Sequence, residues 1–271
     1  MNRKTVYKIS AAALALLLWQ LVALKVGSDM LLASPVQVIV RLFRILPEKD
    51  FFGTVLYSFG RISLGFAAAF VSGLVSGVLA GRFRAVEYLL WPYVTAFKSV
   101  PVASFIILLL IWLDFTALTV VIAFLIAFPA IYSNVLQGMH STDRKMTETA
   151  DIYRLSPLNR LIYVYMPSVK PYLISSSGVA VGMAWKAGVA AEVIGMIDGS
   201  IGEKLYNAKV YFRNADLLCW TVVIILLSVL SEKVFELSQC MTYLELSIEP
   251  GYMDEFVAAC FIPHTDASLF A

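Results

Sequence analysis

Charge is scarce in this chain. Asp, Glu, Lys and Arg make up 15% of its 271 residues, where an ordinary soluble domain carries about 25%. Apolar residues reach 60% and the mean hydropathy is +0.80. So few polar groups cannot cover a water-exposed surface, which excludes a soluble globular domain and a disordered chain. The net charge of +2 gives no field that would attract a polyanion, so nucleic acid is not an expected partner. Histidine is nearly absent, with only His140 and His264, far apart, so no His-rich metal site is expected. Three scattered cysteines, Cys219, Cys240 and Cys260, suggest no disulfide framework. Neither HExxH nor GxSxG occurs, and no catalytic residues are predicted.

Long apolar runs are what the chain has instead. A helix needs about 20 apolar residues to cross the hydrocarbon core. Six stretches meet that length, at about 9–26, 58–81, 86–113, 115–138, 171–196 and 214–237. The predicted fold is an all-α membrane protein with six transmembrane helices and a cytoplasmic helical hairpin between the fourth and fifth. The first stretch has two readings, an uncleaved helix or a secretory signal peptide. No small-x-small cleavage site follows Leu24, which favours the helix. Residues 1–57 then form a first helix and an outer loop, 58–240 the core with its loop 140–170, and 241–271 an acidic cytoplasmic tail. Within the outer loop, Ser34-Pro35 reads as an N-cap with proline at the first helical position. Val36, Ile39, Val40 and Phe43 follow at amphipathic spacing. With the N-terminus inside, eleven Lys and Arg fall on the cytoplasmic side and six outside. That bias predicts both termini in the cytoplasm.

The loop 140–170 carries the most information. Met146, Ala150 and Tyr153 fall at i, i+4 and i+7, one face of a helix. Ser156-Pro157 reads as a second N-cap, and a second amphipathic run through Leu158, Leu161, Ile162, Tyr165 and Met166 ends at Pro167. Two short helices joined by a turn are predicted here. On spacing alone, a surface hairpin that merely joins two spans is the preferred explanation.

Glu148-Thr149-Ala150, Arg154-Leu155-Ser156 and Val164-Tyr165-Met166-Pro167 together resemble the EAA loop of ABC importer permeases. In that family Glu-Ala-Ala is followed by Gly-Ala-Ser, with a proline thirteen residues after the glycine, and Arg154 to Pro167 keeps that spacing. The departures are Thr149, Arg154, Leu155 and Met166. An arginine in place of the glycine must either strain into a positive φ or keep the turn right-handed. The resemblance covers about 35–240. Ser58-Phe59-Gly60-Arg61, Lys98-Ser99-Val100-Pro101, Ala184-Trp185-Lys186, Ala190-Ala191-Glu192 and Ile201-Gly202 are similar to the branch that imports nitrate, sulfonates, taurine and vitamin precursors.

The resemblance implies a binding-protein-dependent permease of MetI-like fold with no ATPase of its own, and no GxxxxGK[ST] occurs. It further implies two separate ATPase subunits carrying ATP and Mg, a second permease copy, an external solute-binding protein, and the inner membrane of a prokaryote as location. Under it the loop around Glu148 is a coupling helix. Glu148 and Arg154 are expected to contact the ATPase, Met146, Ala150 and Tyr153 to pack in its groove, and Ser156 and Pro167 to complete the motif.

Charges inside the membrane cost roughly 2.5–3.5 kcal/mol each on insertion scales. Lys98, Lys186 and Glu192 are therefore expected to line a translocation path favouring anions. Two simpler placements stand beside that one: Lys98 snorkelling to the inner interface, and Glu192 reaching the headgroups from the outer end of its span. Pro92 and Pro101 predict a broken helix around Lys98. Gly73, Gly77 and Gly81 are spaced for close helix packing, within one subunit rather than at a dimer seam, and Gly178/Gly182 repeat that spacing. Trp91, Trp112 and Trp220 are expected as interfacial anchors. A stand-alone secondary transporter or channel is the alternative, and it would need an ion-coupling site that the few intramembrane acids hardly supply.

Overall fold

The computed structural model describes residues 3–28 and 31–246, and these contain helices but no strand. In chain order the helices are α1 (Arg3–Val26), α2 (Pro35–Ile45), α3 (Phe51–Arg82), α4 (Arg84–Ser99), α5 (Val102–Leu110), α6 (Phe115–His140), α7 (Arg144–Ile152), α8 (Pro157–Arg160), α9 (Met166–Gly195), α10 (Ile201–Val210) and α11 (Asn214–Leu246). Among the described residues, five segments are long and apolar enough to cross a membrane, and α4 with α5 makes a sixth if that bent pair is one span. The pair bends by 101°. Pro101 causes the break: its ring drives Val100 to extended φ −79, ψ 133, and Val100 is where α4 ends.

The core is a three-helix sandwich of α3, α6 and α9. Small residues on α3 let α6 lie against it with matched direction. Gly65 faces Val120 and Ala123, Gly73 faces Ile131, Gly77 faces Val135 and Gly81 faces Met139. Each step of four along α3 meets a step of four along α6, so the glycine stripe packs within one chain. On the other side of α6, Gly138 meets Val169 of α9. Ile62 of α3 fills the space above Gly188 of α9. Gly178 faces Glu232 of α11, whereas Gly182 meets nothing within 4 Å. A Cβ on Gly65 would stand 2.4 Å from the Val120 carbonyl oxygen, which is backbone and cannot swing away. Gly65→Ala is therefore expected to destabilise the protein by about 1–3 kcal/mol. Gly60→Ala, with nothing within 4 Å, should stabilise by about 0.5–1 kcal/mol through helix propensity. Thermal unfolding in detergent compares the two.

Several expectations need correction. The outer loop 27–57 is mostly helix, because α3 starts at Phe51 rather than near 58. Phe51 is buried and stacks on Trp220 at 5.4 Å, which gives the extra turns a place to pack. Trp220 is consequently core, not an interfacial anchor, while Trp91 and Trp112 are exposed as expected. The run after Ser156 does not end at Pro167. A π turn at Leu161–Tyr165 carries it straight into α9, with the Met166 N–H bonded to the Leu161 carbonyl. Pro167 then sits in the first turn of α9, directly after the π turn. The acidic tail begins inside α11, and residues 247–271 lie outside the described residues.

At the N-terminal end of α3, Ser34 caps α2 as expected. Its hydroxyl accepts from the Gln37 N–H at 3.3 Å and Gln37 Oε1 accepts from the Ser34 N–H at 2.8 Å, a complete capping box.

Candidate functional site

The segment between α6 and α9 is built to hold its shape. Asp143 caps α7, accepting from the Lys145 N–H at 2.9 Å. Glu148 accepts from Arg144 at 2.8 Å, one turn away. The hydroxyl of Thr149 donates to the Lys145 carbonyl at 2.8 Å. At the far end the Arg154 N–H donates to Asp151 O at 3.1 Å and the Leu155 N–H to Ala150 O at 3.0 Å. This is a Schellman ending, and Arg154 occupies its left-handed position with φ 48. Of the two outcomes open to the arginine, the strained one is realised. A left-handed L-residue costs roughly 1–2 kcal/mol, so Arg154→Gly should stabilise the turn by about 1 kcal/mol, measurable as raised hydrogen-exchange protection of the Leu155 amide. Ser156 caps α8, accepting from Asn159 N–H at 3.3 Å. Arg160 bonds Asp151 and so ties the second limb back to α7.

This frame leaves apolar side chains uncovered. Met146, Ile152 and Tyr153 are exposed by 55, 79 and 75% outside every candidate span, and Leu158, at the start of the span Pro157–Gly195, is exposed by 65%. A shallow groove is lined by Met146 and Tyr153 together with Lys145, Thr149, Ala150, Leu155 and Val164. Ala150 belongs to the floor: it is buried by its own chain, and its expected contact with a partner's groove is corrected to an internal one. Glu148, Arg154, Ser156 and Pro167 are exposed. Ile152 escaped the sequence reading because it falls off the Met146–Ala150–Tyr153 face. It becomes prominent only because the helix ends there.

The intramembrane charges do not come together as one set. Lys98, at the end of α4, donates to Ser133 Oγ of α6 at 2.7 Å and is otherwise exposed. Lys186 lies on the uncovered face of α9. Glu192 is fully buried, which corrects both its assignment to the path and its reach for headgroups. Its Oε2 accepts from Ser58 Oγ of α3 at 2.8 Å and from the Gly202 N–H of α10 at 3.2 Å. Ser58 Oγ in turn accepts from the Ile201 N–H at 2.9 Å. Gly202 is required there, since a Cβ would meet Glu192 Cβ at 2.3 Å. Glu192 thus fastens the N-terminus of α10 to α3 and α9, a position where negative charge also favours the helix dipole.

Comparison with known proteins settles the family. The model of the binding-protein-dependent transport system inner membrane component matches residues 73–239. The chain belongs to this family. Among its relatives, the putative aliphatic sulfonates transport permease protein SsuC of Bacillus subtilis is 24% identical over 227 residues, covering 83% of this chain and 82% of the relative. The nitrate import permease protein NrtB of Synechococcus elongatus is 28% identical over 204 residues, covering 71% and 72%. The taurine transport system permease protein TauC of Escherichia coli is 25% identical over 239 residues, covering 86% of each. The chain is a membrane permease subunit of an ABC importer. Its partners include an ATPase and a solute-binding protein, and it is not itself an enzyme.

Proposed function

We infer that this permease admits a small solute, an organic or inorganic anion or a vitamin precursor, to a prokaryotic cell and that the α7–α8 segment is where the ATPase grips it. The supporting observation is the pairing of a doubly capped, internally bonded frame with exposed Met146, Ile152, Tyr153 and Leu158. Rigid elements transmit displacement, and an exposed apolar cluster away from lipid needs a protein partner. Glu148 and Arg154 flank that cluster and contact the ATPase; Ser156 and Pro167 hold the limbs that present it. Two permease copies work with two ATPase subunits, which bind ATP and Mg. Both termini, and α7 with α8, face the cytoplasm in this arrangement.

The solute is a sulfonate, taurine, nitrate or a vitamin precursor, the classes handled by the sulfonate, nitrate and taurine permeases and by the formylaminopyrimidine transport permease protein ThiX of Halalkalibacterium halodurans, 26% identical over 187 residues. Lys98 and Lys186 supply the cationic character of the path, Lys98 at the break between α4 and α5. Irregular backbone at membrane depth belongs beside protein or a water-filled cavity, which suits a path. Uptake of radiolabelled anionic solutes by Lys98→Met and Lys186→Met is expected to fall severalfold each, with ATPase binding retained. Unchanged uptake in both variants would remove these lysines from the path.

A further inference from the structure

α2 is packed on one side only, and its three sectors differ in chemistry. Pro35, Val38 and Ile45 are buried, Val38 and Ile45 in one cluster with Phe51 and with Cys219, Trp220 and Val223 of α11. A second sector holds Val36, Ile39, Val40 and Phe43, exposed by 60, 54, 45 and 68%, within one stripe at i, i+3, i+4 and i+7. The third sector is polar, with Gln37, Arg41 and Arg44. Arg41 bonds Asp216, at the start of α11, and lies 3.5 Å from Glu48. Hydrogen bonding to Asp216 raises the Arg41 guanidinium above its ordinary pKa, so this clamp stays ionised.

The depth of α2 follows from what it touches. Cys219, Trp220 and Val223 lie in the second and third turns of α11, about 8–14 Å below its first residue at 1.5 Å per residue. The charged clamp to Asp216 marks the level above. The tethers permit nothing far away, since eight residues join α2 to α1 and five join it to α3, both of them membrane-crossing by length and composition. Phe52 and Leu56, on the first turns of α3, are likewise exposed and apolar. A helix with a buried face, an apolar stripe and a basic polar face at this depth meets the boundary between headgroups and acyl chains.

We propose that α2 is an in-plane membrane anchor, its Val36–Ile39–Val40–Phe43 stripe laid into the leaflet at the end of the spans opposite α7 and α8. α3 and α6 run in the same direction, so the start of α3 and the end of α6 lie on opposite sides of the bilayer, and this placement does not depend on which side is cytoplasmic. Arg41 and Arg44 then face the headgroups, and the clamp to Asp216 fixes the tilt of α2 against α11.

The test is nitroxide accessibility on the full permease–ATPase complex in vesicles of phosphatidylethanolamine and phosphatidylglycerol. Phe43→Cys and Arg44→Cys are each made with Cys240→Ser and Cys260→Ser; Cys219 is fully buried and stays unlabelled. Ile39→Cys replaces Phe43→Cys if the latter fails to assemble with the ATPase. The expected result is a ratio of oxygen to nickel-chelate collisions severalfold higher on the stripe than at position 44. Equal, chelate-accessible labels at both positions would place the stripe in water and overturn the proposal. So would a stripe label shielded from oxygen and chelate alike, with spin–spin broadening showing a second copy or shielding that appears only with the solute-binding protein.

Discussion

Glu192→Ala is expected to produce the largest loss of stability of any single polar substitution in the described part of this permease. The carboxylate receives the Ser58 hydroxyl and the Gly202 N–H inside a fully buried junction. Removing it orphans both donors where water cannot reach them, at about 1–3 kcal/mol apiece. A total of roughly 2–6 kcal/mol is comparable with the whole margin of many folded domains. Glu192→Gln keeps one acceptor oxygen, so it should recover most of that loss. The comparison is best read from thermal unfolding of purified protein in detergent, with hydrogen exchange of the Ile201 and Gly202 amides as a local reporter. Fast exchange of these two amides in the alanine variant, against slow exchange in the wild type and Gln variant, identifies the fastening of α10. Equal stability of Glu192→Ala and wild type would mean that the junction carries no load.

The second large effect concerns α7. Tyr153→Ala should weaken ATPase binding by about 2 kcal/mol, roughly thirtyfold, the size typical of an exposed aromatic that becomes an interfacial anchor. Glu148→Arg should reduce coupled transport at least as strongly. Its cost to the helix itself is minor: Glu148 is more than half exposed and pairs with Arg144 at i,i+4. Reversing the sign of such a pair loses its attraction and adds a like-charge repulsion of similar size, about 0.4–1 kcal/mol in all. The folded permease should therefore persist while ATP hydrolysis proceeds without uptake. Reconstituted ATPase and uptake assays, run side by side, separate that outcome from misfolding.

Some of this was legible in the sequence and some was not, and the division follows the range of the interactions. The caps at Ser34 and Ser156, and the break at Pro101, are set by neighbours within four residues, and all three appear where the sequence places them. The glycine stripe on α3 was legible as a packing surface, but only the structure shows that α6 is what fills it. Glu192 was misplaced because its partner Ser58 lies 134 residues away and the helix that completes the junction follows a turn. Both Ser58 and Gly202 stand in motifs that resemble the importer branch, yet motif membership alone assigns no contact. The expected end of the run at Pro167 does not occur for a local reason: a π turn stands immediately before the proline, and the chain continues helical through it. By spacing Ala150 shares an outward face with Met146 and Tyr153, whereas in the structure it is buried and lines the groove together with Val164.

The most direct measurement of ATPase coupling through α7 and α8 is isolation of the tagged permease from its native membrane in mild detergent, with mass spectrometry of the co-purifying chains. The expected result is a stoichiometric Walker-motif ATPase that is lost in Glu148→Arg, together with ATP-dependent solute uptake after reconstitution of the wild-type complex. Recovery of the permease alone, still moving its solute in liposomes without ATP, would contradict it.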